Sequence, residues 1–105
     1  IEDGAIHDVP VDEGSVMLMP AGIPHSPQRP EPGSIGLVIE CQRPDGARDA
    51  FEWVCEACVT PVHRGEMLLR NFTTDRPILF DYYYDKIAPG ACPTCGEPNP
   101  KKISA

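Results

Sequence analysis

The stretch FEWVCEACV, residues 51–59, carries an apolar run into a Cys-x-x-Cys pair, and the pair returns as CPTCG at residues 92–96. Thirty-three residues separate Cys58 from Cys92. Two intervening residues fold such a pair into a tight knuckle that brings both sulfurs to about 2.3 Å from one ion. Cys55, Cys58, Cys92 and Cys95 therefore supply one tetrahedral metal site. Gly96 stands directly after the second pair, where the knuckle needs a positive φ. A redox Cys-x-x-Cys requires a βαβ context that the flanking residues do not provide.

Four thiolates leave no coordination position open, so zinc in this site would staple loops that lack a core of their own. Iron in the same sulfurs would carry electrons, as in rubredoxin, whose Cys-Pro-x-Cys-Gly knuckle the second pair resembles. The fifth cysteine, Cys41, alternates with Leu37 and Ile39 and is expected to be a buried small hydrophobe. An odd cysteine count and no recognisable export signal argue against a disulfide framework.

Around the cysteines the chain reads as mainly β. Residues 14–19, GSVMLM, form an apolar run stopped by Pro20, and residues 34–42, SIGLVIECQ, alternate. The alternation puts Ile35, Leu37, Ile39 and Cys41 on one face and Val38 and Glu40 on the other. Residues 50–58 enter the first knuckle as a strand and residues 62–72 return from it. Residues 77–87, PILFDYYYDKI, admit a short helix, but Ile78, Phe80, Tyr82 and Tyr83 are too mixed to fix one. Trp53, Tyr82, Tyr83 and Tyr84 are expected to pack around the cysteine site or at a subunit contact, His63 and Glu66 receive no chemistry, and the tail from Gly96 has nothing to pack against. Asp3-Gly4 signals a hairpin turn with almost no strand before it, which reads as the C-terminal part of a longer polypeptide.

Composition narrows the function classes. Asp and Glu outnumber Lys and Arg by 16 to 9, and the cations are scattered, so neither nucleic acid nor an anionic membrane is an expected partner. No apolar run approaches a membrane span, and the chain reads as soluble and cytoplasmic.

Residues 19–30, MPAGIPHSPQRP, are too rich in proline for helix interior or central strand, and form a stiff loop that holds His25 and Arg29 four residues apart. With its flanks the loop reads Gly14-x5-Pro20-x-Gly22-x2-His25, which resembles the second motif of the cupin superfamily, with Arg29 in place of the usual asparagine. Then "HSPQRP", "VIE-QRP", "FEW-C-AC", "VHR-E" and "CP-CG" follow in the order and spacing of the bacterial 3-hydroxyanthranilate 3,4-dioxygenase family.

That resemblance runs from the Gly14 region to Gly96. It implies a cupin barrel portion (double-stranded β-helix, jelly-roll) over residues 1–50, followed by a small rubredoxin-like four-cysteine metal subdomain over residues 51–105. It further implies a homodimeric, non-haem Fe(II) enzyme that opens the ring of 3-hydroxyanthranilate with O₂, a step toward quinolinate and NAD. His25 would be the last of three iron ligands, Arg29 would clamp the substrate carboxylate, and Glu40, with Arg29 as its partner inside the barrel, would accept a hydrogen bond from the substrate's hydroxyl or amino group. Cys55, Cys58, Cys92 and Cys95 match the family's second metal site, filled by zinc or iron. The first cupin motif is absent, because neither His7 nor His63 has the carboxylate neighbour of a 2-His-1-carboxylate face. The remaining ligands are expected upstream. The cysteines alone would equally suit a non-catalytic metal-stapled interaction module or an electron carrier.

Overall fold

The computed structural model describes residues 1–101, and the last residues of the tail, 102–105, lie outside them. Strands β1 (Asp49–Val54) and β2 (Pro61–Met67) form an antiparallel hairpin around the first cysteine pair. Helix α1 (Phe72–Tyr82) follows and runs on into a π-helical turn, Tyr83–Ile87.

The hairpin and helix are held together by aromatic rings. Phe51 and Trp53, two residues apart on β1, share a face, and Trp53 stands opposite His63 of β2. Trp53 stacks on Tyr83 with centroids 4.2 Å apart and planes within 7°. Phe80 meets Trp53 and Phe51 edge-on at 5.1 and 5.3 Å. Such pairs contribute roughly 0.5–1.5 kcal/mol each beyond the area they bury. Opposite Phe51 sits Gly65, where a Cβ would come within 3.0 Å of Leu79 Cδ2, so glycine there lets α1 lie close on the sheet. Trp53, Tyr83 and Tyr84 pack against one another between hairpin and helix, while Tyr82 remains half-exposed and His63 tilts against Trp53 and Tyr83.

Helix α1 begins five residues before Pro77, earlier than the sequence pattern predicts. Asn71 caps it, its Oδ1 accepting from the N–H groups of Thr73 and Thr74, while Asp75 Oδ2 accepts from the N–H groups of Arg70 and Asn71. Those two backbone donors, from Asn71 first, hold the Asp75 carboxyl below the usual carboxylate range. The reciprocal cap offsets the hydrogen bond that Pro77 removes inside the helix.

The tail is not free, contrary to its sequence reading. Ala91 and Pro98 pair, Asn99 N–H donates to Gly90 O, and Asn99 Nδ2 donates to Ile87 O at 2.9 Å. Tyr83 Oη donates to Pro100 O at 2.8 Å, which joins the tail to the aromatic cluster. Tyr83 has no exposed surface, and burial, with the neighbouring Tyr84 adding to it, pushes its phenol up from 10 to about 12. Above pH 10 the unfolded chain loses this proton and the folded chain keeps it, so stability is expected to fall as pH rises from 10 toward about 12. Fluorescence of Trp53, the single tryptophan, during alkaline titration measures this. Tyr83→Phe should remove that alkaline loss and cost about 1 kcal/mol near neutrality, the worth of the bond to Pro100.

The first half of the chain departs from the expected barrel. The Asp3-Gly4 turn is present, with Asp3 at φ 50° and Gly4 at φ 73° and a bridge between Glu2 and Ala5. Residues 14–19 and 34–42, however, pair into no strand, and among the described residues β1 and β2 are the only strands longer than a bridge. An alternating strand is stable only when a second layer covers its apolar face. Here Ile35, Leu37 and Ile39 are each more than four-fifths exposed, and Cys41, expected to be buried, is exposed as well. Among the described residues no helix is long and apolar enough to cross a membrane.

Candidate functional site

The two knuckles are built alike. In the first, Cys55 N–H donates to Thr60 O and Cys55 O accepts from Val59 N–H. In the second, Cys92 N–H donates to Glu97 O and Cys92 O accepts from Gly96 N–H. The residue after each pair is left-handed: Gly96 at φ 80° and Val59 at φ 57°. Glycine adopts this freely, but a β-branched valine is strained there, and the hydrogen bonds on either side of Val59 hold it in place. Val59 went unnoticed in the sequence, although laying the two pairs over each other puts it level with Gly96.

The four sulfurs converge, all within 4.8 Å of one another. Cys55 Sγ lies 3.6 Å from Cys95 Sγ, and Cys58 Sγ 3.6 Å from Cys92 Sγ. A tetrahedron with metal–sulfur bonds of about 2.3 Å has edges of about 3.8 Å. Those two contacts are close to that edge, and the four sulfurs together could hold one metal ion. Cys55 and Cys92 are buried, while Cys95 is exposed.

The environment of the sulfurs is uneven. The N–H of Cys95, with that of Thr94, outweighs burial and pulls the Cys92 thiol down to about 6. Thr60, through its hydroxyl and its N–H, lowers Cys58 too, and its Oγ1 lies 3.1 Å from Cys58 Sγ. Cys95 accepts from the Glu97 N–H, but partial desolvation by its neighbours and the hydrogen bonds with the sulfurs of Cys55, Cys58 and Cys92 prevail and push it up to about 12. Packed this closely, the sulfurs cannot all be thiolates on their own. A divalent cation resolves the repulsion by displacing the protons, which is the chemistry of a structural metal ligand set.

The proline loop carries its residues separately. His25 Nδ1 lies 2.8 Å from Ile23 O. A carbonyl only accepts, so Nδ1 bears the proton in this bond and Nε2 lies outside it, the orientation typical of a metal-ligating histidine. Arg29 donates from Nη1 to Ser34 O at 3.4 Å and from Nη2 to Gly36 O at 3.2 Å. Glu40 does not meet Arg29. Its partner is Arg43, at 3.5 Å and three residues on in sequence, and the Glu40 side chain is exposed instead of enclosed in a barrel. Among the described residues no hydrogen bond or ion pair joins His25, Arg29 and Glu40. Arg43 was missed because no motif marks it; its i, i+3 offset from Glu40 was the available signal.

Comparison with known proteins matches residues 1–84 to the family model described as 3-hydroxyanthranilic acid dioxygenase. Curated proteins named 3-hydroxyanthranilate 3,4-dioxygenase are similar along almost all of the chain. The Shewanella woodyi protein is 49% identical over 102 residues, which is 97% of this chain and 54% of that protein. That of Ruegeria pomeroyi is 48% identical over 96% of this chain and 56% of its own length. The Burkholderia cenocepacia protein is 49% identical over 95% and 56%, respectively. This chain spans about half the length of the curated relatives it matches. With the family model covering residues 1–84 and about half of all aligned residues identical, the chain belongs to the 3-hydroxyanthranilic acid dioxygenase family.

Proposed function

We propose that this chain carries the substrate clamp and one iron ligand of a non-haem Fe(II) dioxygenase that opens the ring of 3-hydroxyanthranilate with O₂ to give 2-amino-3-carboxymuconate semialdehyde. The observation that carries the reading is His25, whose Nδ1–H is committed to Ile23 O and whose Nε2 is left for a metal, on a loop stiffened by prolines. Iron, when bound, supplies the site for O₂ and polarises the substrate's hydroxyl and amino groups. His25 Nε2 is one of its ligands; the others, in this reading, come from the part of the relatives' length that this chain does not match.

The chain's own residues bind and orient. Arg29 offers a planar fork of donors to the ring carboxylate, exchanging its carbonyl partners at Ser34 and Gly36 for a charged one. Glu40 accepts the proton of the substrate's hydroxyl or amino group. Residues 1–50 contribute strands of a cupin barrel whose apolar faces, at Ile35, Leu37 and Ile39, are covered by further strands. Residues 51–105 form the four-cysteine unit, in which zinc or iron holds the two knuckles together. The same reading makes the enzyme a cytoplasmic homodimer in the kynurenine pathway, supplying quinolinate for NAD biosynthesis.

Arg29→Ala in the complete enzyme tests the clamp. Charge-assisted bonds are worth roughly 1.5–3 kcal/mol, so kcat/KM is expected to fall about 10- to 100-fold. Most of the loss should appear in KM, with iron content unchanged. Arg29→Lys should recover only part, because a point charge cannot fix the plane of the ring. An unchanged kcat/KM in Arg29→Ala would remove the clamp from the account.

A further inference from the structure

We propose that Arg43 is a positioning residue for Glu40, tethering that carboxylate to the first strand of the cysteine-stapled unit. The inference rests on the reading of Glu40 given above and adds a residue that the reading does not contain. Arg29, the partner expected for Glu40, is occupied by the carbonyls of Ser34 and Gly36. Arg43 takes its place, with Nη2 at 3.5 Å from Glu40 Oε2.

The other edge of the same guanidinium is anchored more firmly. Arg43 Nε lies 2.9 Å from Asp49 Oδ1 and 2.7 Å from Asp49 Oδ2. The Asp49 side chain is only 23% exposed, against 42% for Arg43 and 62% for Glu40, so exposure increases outward along the chain of contacts. Asp49 opens β1, pairs with Met67 of β2, and lies on the strand that ends one residue before Cys55. A continuous path therefore runs from the metal knuckle through β1 to Asp49, Arg43 and Glu40.

An exposed ion pair alone contributes little, because both side chains lose freedom in forming it. The arrangement differs in that Asp49 has already fixed the guanidinium, so only the Glu40 rotamer remains to be ordered. A rigid planar group with donors on two edges can face two carboxylates at once, which a lysine ammonium on a flexible stem does not reproduce. Held in this way, Glu40 has fewer rotamers to lose when it accepts a proton.

The test is a double-mutant cycle in the iron-loaded full-length enzyme, with kcat and KM measured separately for 3-hydroxyanthranilate. Arg43→Gln is expected to lower kcat about ten-fold with little change in KM, a loss smaller than the ~10²-fold that a 1 Å misplacement can cause. Asp49→Asn, which leaves Arg43 in place but unbraced, should give a smaller loss of the same kind, and Arg43→Lys a partial recovery. In a Glu40→Gln background Arg43→Gln should cost nothing further, whereas a merely structural role would cost the same in both backgrounds. Bound metal at the four-cysteine site reports folding, and if Arg43→Gln does not retain it, Asp49→Asn decides. Wild-type kcat in Arg43→Gln, or an equal loss in both backgrounds, overturns the tether while leaving Glu40 in its role. Wild-type activity in Glu40→Gln overturns the role of Glu40 and the tether with it.

Discussion

His25→Ala in the complete enzyme is expected to lose the catalytic iron and, with it, all measurable ring cleavage at any substrate concentration. The argument starts from the tautomer. Ile23 O accepts a hydrogen bond from Nδ1–H, so the ring enters the site already turned with Nε2 outside that bond. Pro20, Pro24, Pro27 and Pro30 fix the backbone on both sides, which leaves little freedom for another side chain to substitute. A three-ligand site that loses one ligand binds its metal much more weakly, since removing even a supporting partner typically costs 10- to 100-fold in affinity. His25→Gln should fare little better. The sulfur-bound metal should remain in both variants, because the knuckles are closed by their own backbone hydrogen bonds. Iron that stays bound to His25→Ala would return residues 19–30 to the status of a stiff loop without chemistry.

Cys92→Ser is expected to release the second metal and loosen the unit formed by β1, β2 and the residues around Tyr83. Structural zinc in small cysteine-rich sites has apparent binding free energies on the order of 10 kcal/mol, and this binding is coupled to folding. The described residues that are buried here are few, Cys55, Gly65, Tyr83, Ala88, Cys92 and Asn99, and two of the six are metal-site cysteines. A unit with so small a core depends on its staple. The readout is Trp53, stacked on Tyr83 at 4.2 Å, whose emission should shift red and whose thermal transition should broaden or vanish. Chelation of the wild-type protein should reproduce the effect. Serine at position 92 with undiminished metal would show that the four sulfurs do not share one ion.

The sequence signals that succeeded were local and covalently constrained. The spacing of Cys55, Cys58, Cys92 and Cys95 allows little besides two knuckles, and the sulfurs do converge. Asp3-Gly4 encodes its own turn, and the apolar run before Cys55 has its partner immediately beyond the knuckle, so the hairpin is a short-range structure. What could not be read was non-local. The alternation in residues 34–42 records that one face is meant to be covered, but not by what, and in this chain Ile35, Leu37 and Ile39 find no cover. The same reason leaves Cys41 exposed. The helix begins at Phe72 and not within residues 77–87, because Asn71 supplies a cap whose side chain accepts from Thr73 and Thr74. The tail seemed unstructured because its residues are polar; Asn99 is nevertheless buried, since its amide reaches Ile87 O and its N–H reaches Gly90 O. At the candidate site the four cysteines were legible from their spacing, whereas the choice of Arg43 over Arg29 beside Glu40 depends on where Asp49 and the Ser34 and Gly36 carbonyls sit.

Two metals with separate roles, one for catalysis at His25 and one for structure at the cysteines, are the centre of this account. The direct measurement is metal content per chain of the complete enzyme, together with its rate of 3-hydroxyanthranilate ring cleavage, for wild type, His25→Ala and Cys92→Ser. Two bound metals and turnover are predicted for the wild type. His25→Ala should retain only the sulfur-bound metal, with no turnover, and Cys92→Ser should lose that metal while keeping iron and part of its activity. Loss of both metals in either variant, or ring cleavage by His25→Ala, would contradict it.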